Sequence, residues 1–211
     1  MLAKNAQIFR IVGATHAGLN EALAACQFVE CTPHAAQSSG FVFASPDYGT
    51  FTREAGDFTE FRLRTDTKIL PASVVNDATA EKAKEIEAMQ GYKPGRKQMK
   101  EIKEAVLQEL LPRAFTRRRK VYSWIDPKGG WLVIDAASPA RAEEVLDALR
   151  DTLDELPVKM VKTELSPVSV MTGWLAANQA TGNFTIDLDC ELRAVTDEKA
   201  AVRYVRHALD G

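Results

Sequence analysis

Long apolar runs are missing from this sequence. No stretch approaches the about twenty consecutive apolar residues that a membrane-spanning helix needs, so neither such a helix nor a membrane partner is expected. The amino-terminal stretch MLAKNAQIFRIVGATHAG has no apolar signal core and no cleavage site, and a cytoplasmic protein is expected. Cysteine is scarce: Cys26, Cys31 and Cys190 cannot all pair, which leaves no disulfide framework. Charge of one sign is lacking too. With 27 basic and 29 acidic residues the net charge is −2, so any affinity for a polyanion must be local. There is no internal repeat and no low-complexity segment. At 211 residues, 45% hydrophobic and 27% charged, the chain has the composition of a soluble globular protein and can bury a sizeable core, in one domain or two small ones.

Motifs that carry chemistry are also absent. No glycine-rich phosphate loop and no nucleophile elbow occurs. Cys26, Cys31 and His34 lie close together, but C-x4-C-x2-H lacks a fourth ligand and a second half, so no zinc is expected. Asp126 and Asp135 end expected strands and could be pictured as metal-binding carboxylates of a nuclease. Aspartate at a turn is the simpler reading, because no Glu-x-Lys follows on a strand. No catalytic residue, metal or cofactor is expected.

What the chain does have is basic charge in one place. From Lys93 to Lys120 ten Lys and Arg face only Glu101, Glu104 and Glu109, a local net charge of +7 that leaves the rest at −9. Such concentration is the footprint of a polyanion-binding surface, although a solvated helical face has the same composition.

Periodicity places this segment in an α+β chain: an antiparallel sheet with flanking helices and a projecting helical hairpin. Residues 7–12 read as a strand, 16–28 as a helix, and 41–44 and 58–63 as strands, with the polar run between Cys31 and Gly40 and the stretch SPDYGTFTREAGD as loops. Phe61 and Leu63 alternate with Glu60, Arg62 and Arg64, the pattern of a half-buried strand. Two helices follow, at 72–89 and 96–111, broken by residues 91–95 and ended by Pro112. Met99, Ile102, Val106 and Leu110 make one narrow apolar seam, flanked by Arg96, Lys100 and Lys103. Residues 121–126 and 131–135 around Pro127-Lys128-Gly129-Gly130 predict a β-hairpin. Ser138-Pro139 then opens a helix that buries Ala142, Val145, Leu146, Leu149 and Leu153 and stops at Pro157, before a strand at 158–161. The order strand, strand, helix, strand echoes the first seventy residues in reverse. Residues 1–70 with 121–165 are therefore expected to form one α+β region, interrupted by a hairpin with its basic segment at 71–120. Beyond it, 166–211 give weaker signals: a helix at 168–177, a strand at 184–192, and a basic, aromatic stretch containing Arg203, Tyr204 and Arg206.

Several uninterrupted stretches resemble one family. KILPASVV (68–75), LLPRAF (110–115), WIDPKGGWLVIDAAS (124–138) and AEEVLDALRDTLDELPV (142–158) are similar to the recombination-associated protein RdgC family of bacteria. Weaker traces at Thr32-Pro33 and Gly40-Phe41-Val42, with DCELRA (189–194) and VRYVRH (202–207), extend the similarity over most of the chain. The resemblance implies a non-enzymatic, nucleoid-associated protein without cofactor. It implies a ring-shaped homodimer that encircles double-stranded DNA without sequence preference and restrains a strand-exchange recombinase. The resemblance makes residues 166–211 part of a base region that family members continue beyond the position of Gly211, one of two surfaces that close the ring, the helical tips being the other. For this chain, bacterial or phage-borne, an open clamp is expected in place of a closed ring.

Phosphate contacts need cations and no fixed spacing. The candidates are Lys97, Lys100, Lys103, Arg113, Arg117, Arg118, Arg119 and Lys120, with Arg113 equally able to cap the preceding helix or pair with Glu109. The resemblance adds Arg203, Arg206 and His207 beside the DNA channel and gives Phe115 a hydrophobic contact in the dimer, whereas packing under the hairpin would explain that residue equally well. The alternative from another class is a protein-interaction module, in which the seam docks a partner helix and the basic residues steer an acidic partner.

Overall fold

Fully buried Phe61 and Leu63 stand at alternate positions of a long strand, and the sheet is built outward from it. The computed structural model describes residues 3–13, 18–153, 155–194 and 200–207, which fall into two units, 1–161 and 162–211. The first unit runs β1 (Ala6–Ile11), α1 (Leu19–Ala25), β2 (Gln37–Val42), β3 (Thr52–Ala55), β4 (Phe58–Ile69), α2 (Ala72–Gln90), α3 (Arg96–Leu110), β5 (Phe115–Asp126), β6 (Trp131–Asp135), α4 (Pro139–Arg150) and β7 (Val158–Met160). Its sheet has the order β2-β4-β5-β6-β1-β7, with every neighbouring pair antiparallel. β3 pairs with the start of β4, on the edge that β2 occupies further along.

One face of this sheet is the core. Phe9, Phe61, Leu63, Val121, Ile125, Leu132 and Ile134 pack against Leu19 and Leu23 of α1 and Ala142, Val145, Leu146 and Leu149 of α4. Each such side chain contributes about 1.5–3 kcal/mol by leaving water, which is why the spacing in α4 matters more than its helix propensity. Leu153 is buried as expected, but α4 ends at Arg150, where the Asp151 amide bonds back to Asp147, so the helix stops well before Pro157.

The expected helical hairpin is present as α2 and α3. Gly91, at φ 81°, ends α2 in the left-handed conformation that a side chain would oppose. The hairpin has a small core of its own: Val75, Ile102 and Val106 are buried, with Leu70, Ala78, Ala83, Ile86, Met99, Leu107 and Leu110 around them. The seam of α3 is therefore spent on α2, which removes the apolar face that a partner helix would have docked.

Four strands depart from expectation. β4 continues to Ile69 and β5 begins at Phe115, so the run from Arg117 to Lys120 belongs to the sheet and not to the hairpin. β2 begins at Gln37, within the polar run read as loop, and β3 lies inside the stretch read as turns. β2, β3 and the added half of β5 are held by pairing to β4 and not by an apolar pattern of their own.

The second unit contains α5 (Pro167–Ala177) and a two-stranded ladder of β8 (Cys190–Arg193) and β9 (Ala201–Tyr204). Ser166 caps α5 by accepting from the Ser169 amide at 3.1 Å. The strand expected at 184–192 is confined to its last residues. Among the described residues no helix is long and apolar enough to cross a membrane.

Candidate nucleic-acid interface

Helix α3 carries its charge against its own stability. Its first turn holds Arg96 and Lys97 and no acidic residue, although a cation at a helix amino terminus opposes the macrodipole by a few tenths of a kcal/mol. Lys97, Lys100 and Lys103 are exposed, Lys103 on the flank of the seam of buried Ile102 and Val106. Glu101 and Glu104 follow Lys97 and Lys100 at four-residue spacing, yet no ion pair forms between them, and among the described residues these lysines have no acidic partner. The carboxylate of α3 that is paired is Glu109, which takes Lys82 of α2 at 2.5 Å and is thereby held below its ordinary pKa. Arg113, in a 3-10 turn at Leu111–Arg113, is exposed and adds a weaker stabilising charge to Glu109.

Strand geometry divides the arginine run. Residues directly opposite in an antiparallel ladder share a face. The register sets Leu63 against Val121, Thr65 against Arg119, Thr67 against Arg117 and Ile69 against Phe115, so these pairs extend the helix-covered face. Arg62 with Tyr122, Arg64 with Lys120, Asp66 with Arg118 and Lys68 with Thr116 form the opposite, open face. Arg119 is committed to an ion pair with Glu144 of α4, while Arg117 is exposed and has no acidic partner among the described residues. On the open face Lys120 is exposed, with no acidic partner among the described residues, and Arg118 is 60% exposed with Asp66 at 3.9 Å. Phe115 is 85% exposed beside its half-exposed cross-strand partner Ile69. It does not pack under the hairpin.

The open face holds further cations that were not among the candidate contacts read from the sequence. Arg62 bonds Glu60 at 2.7 Å and lies 5.0 Å from the Tyr122 ring centre. Arg64 grips Asp66 with two bonds of 2.8 and 2.5 Å and stacks on Phe28 at 4.0 Å. Burial of Glu60 opposes its charge, but the hydrogen bonds and charges of Arg53 and Arg62 outweigh that effect and set its pKa below the ordinary value. The bonds from Arg64 do the same for Asp66 against weaker desolvation. The signal was the polar half of the β4 alternation, which on a solvated sheet face is read as ordinary.

In the second unit Arg203 is exposed on β9 opposite Glu191. Arg206 takes a left-handed φ of 51°, and its amide donates to Asp189 at 2.9 Å. The His207 ring lies 5.7 Å from that of Tyr204.

A family model described as "Putative exonuclease, RdgC" matches residues 1–211. The chain belongs to the RdgC family. A curated relative named recombination-associated protein RdgC, from Dechloromonas aromatica (strain RCB), is 47% identical over 212 residues, covering 99% of this chain and 69% of the relative. One of the same name from Cupriavidus necator is 47% identical over 214 residues, covering 100% of this chain and 71% of the relative. Another, from Bordetella pertussis, is 55% identical over 148 residues, or 70% of this chain and 50% of the relative.

The exonuclease in that family description directs attention to the carboxylates of this RdgC chain. Asp126 accepts the amides of Lys128 and Gly129 at 3.1 and 2.7 Å, and so shapes the β5–β6 turn. Asp135 accepts those of Lys4 and Asn5 at 3.1 and 2.9 Å and ties down the entry to β1. Cys31 donates to the Ala35 carbonyl. Among the described residues no three His, Cys, Asp or Glu are grouped so as to hold a metal ion. Glu144, Asp147 and Asp151 line a cleft of about 420 Å³ between α4 and β2, on the helix-covered side.

Proposed function

We propose that this RdgC-family chain binds double-stranded DNA without sequence preference, acts as a homodimer that clamps the duplex, and so restrains a strand-exchange recombinase in the nucleoid without itself cutting DNA. The observation that carries this reading is the set of exposed cations on α3 and β5 that have no acidic partner among the described residues, in a chain whose net charge is negative. Exposed ammonium and guanidinium groups gain from neutralising phosphates, and because the backbone is the same at every base pair they carry no sequence information. No described helix presents base-reading side chains in a recognisable groove-binding motif. Phe115, Ile69 and Val74 leave apolar surface at the foot of the hairpin, and a two-fold pair would cover the same patch twice.

Filter binding with a pool of random duplexes tests the reading. The expected result is retention of the whole pool with no sequence enriched and the DNA recovered intact in Mg²⁺. Enrichment of one sequence, shortening of the DNA, or no retention would overturn it.

A further inference from the structure

The pairing of β4 with β5 separates cations that lie side by side in the sequence. On the open face of these two strands and the adjoining β3 stand Arg53, Arg62, Arg64, Lys68, Arg118 and Lys120, against Glu60, Asp66 and Asp126. Arg53 and Arg62 are held by Glu60, and Arg64 by Asp66, so Lys68, Arg118 and Lys120 remain able to reach outward. On the other face helix α4 has the opposite sign. There α4 presents Glu143, Glu144, Asp147 and Asp151 against Arg141 and Arg150; Glu144 neutralises Arg119, and Arg150 is held by Glu143 and Asp147. A phosphate approaching α4 meets an excess of carboxylates, and one approaching the open face of the strands meets an excess of cations.

We propose that the open face of the sheet is part of the duplex track, with Lys68 of β4 joining Arg118 and Lys120 of β5 as phosphate contacts, while Arg117 and Arg119 take no part. This rests on the reading of the chain as a duplex binder and adds to it which side of the sheet the DNA occupies. Arg62 and Arg64 supply field and hold the surface rigid without themselves reaching phosphate. Arg117 lies on the face that carries Phe115, the side given to the second subunit.

Two variants of the full chain separate the faces: Lys68→Ala/Arg118→Ala/Lys120→Ala and Arg117→Ala/Arg119→Ala. Each is titrated into a fluorescent random-sequence duplex over a salt series. The triple variant is expected to flatten the slope of log K against log salt by about 2.7, at ~0.9 per phosphate, and the double variant to leave it unchanged. A double variant that flattens the slope as much as the triple, or a triple variant that leaves it unchanged, overturns the assignment while duplex binding itself stands. A wild-type chain that fails to bind duplex overturns both. Folding of the variants is bypassed by acetylating the wild-type protein with and without duplex and reading each lysine by mass spectrometry. Lys68 and Lys120 are expected to be protected and Lys128, in the β5–β6 turn, is not; equal labelling of Lys68 and Lys120 in both states contradicts the proposal.

Discussion

Replacing Gly40 by alanine should unfold the edge of the sheet from which Arg64 takes its support. Gly40 lies in β2 opposite Arg64, and a Cβ there would meet the Phe28 Cα at 2.5 Å, the Phe28 nitrogen at 2.6 Å and the Gln27 carbonyl carbon at 2.9 Å. All three are backbone atoms, so no side-chain rotation relieves the clash. The segment that must retreat is fixed by the Phe28 amide donating to the Phe41 carbonyl at 2.8 Å and the Phe41 amide donating to the Cys26 carbonyl at 2.9 Å. It also carries the ring on which Arg64 stacks. Overpacking costs about 1–3 kcal/mol, each lost backbone bond about 1, and the cation–π contact about 0.5–1. Because one movement relieves the first at the expense of the others, the total is about 2–4 kcal/mol. At about 2–4 °C per kcal/mol for a chain of this size, the midpoint of thermal unfolding should fall by roughly 5–15 °C. Circular dichroism during heating, with urea titration for the free energy, measures it. Gly173→Ala in α5, where a Cβ meets nothing within 4 Å, should by contrast be neutral or slightly stabilising. A Gly40→Ala protein with an unchanged midpoint would refute the close approach.

Acid should destabilise the first unit through Glu60 and Asp66. Both have folded pKa values below the ordinary 4.5 and 3.8, so their stabilisation is present in full above those values and is lost as pH falls through the folded ones. Glu60→Gln should cost about 1–3 kcal/mol at neutral pH and shrink this acid dependence, which urea titrations at neutral pH and near pH 3 would measure. Ile102→Ala should cost about 2–4 kcal/mol within the small core of the hairpin, visible as faster amide exchange in α2 and α3 with the sheet amides unchanged. Equal acceleration in both would mean that hairpin and sheet unfold as one. Phe115→Asp should shift the proposed dimer towards monomer in sedimentation across a concentration series, and an unchanged equilibrium would remove this residue from the proposed subunit contact.

The elements legible in the sequence were those whose burial leaves a periodic trace. Ala142, Val145, Leu146 and Leu149 announced α4, and the turn at Pro127-Lys128-Gly129-Gly130 announced the β5–β6 hairpin. The far halves of β4 and β5 were not legible, because Arg64, Asp66 and Lys68 face Lys120, Arg118 and Thr116 and no apolar alternation marks them. These residues are strand because ladder bonds and the Arg64–Asp66 bridge hold them, which is a tertiary cause. The same blindness hid the division of the arginine run: a cluster in sequence shows how much charge is present, and only the register shows which face receives it. Missing β3 follows from its dependence on β4 as well, since four residues between glycines carry too little pattern to be recognised alone.

The salt dependence of duplex binding by the unmodified chain tests the central claim most directly. With about six phosphates neutralised, log K should fall against log salt with a slope near −5, so that affinity drops on the order of 10³-fold between about 50 and 200 mM. Fluorescence anisotropy with a random-sequence duplex reads the slope. A slope near zero, or affinity carried by one preferred sequence, would contradict binding through exposed cations on α3 and β5.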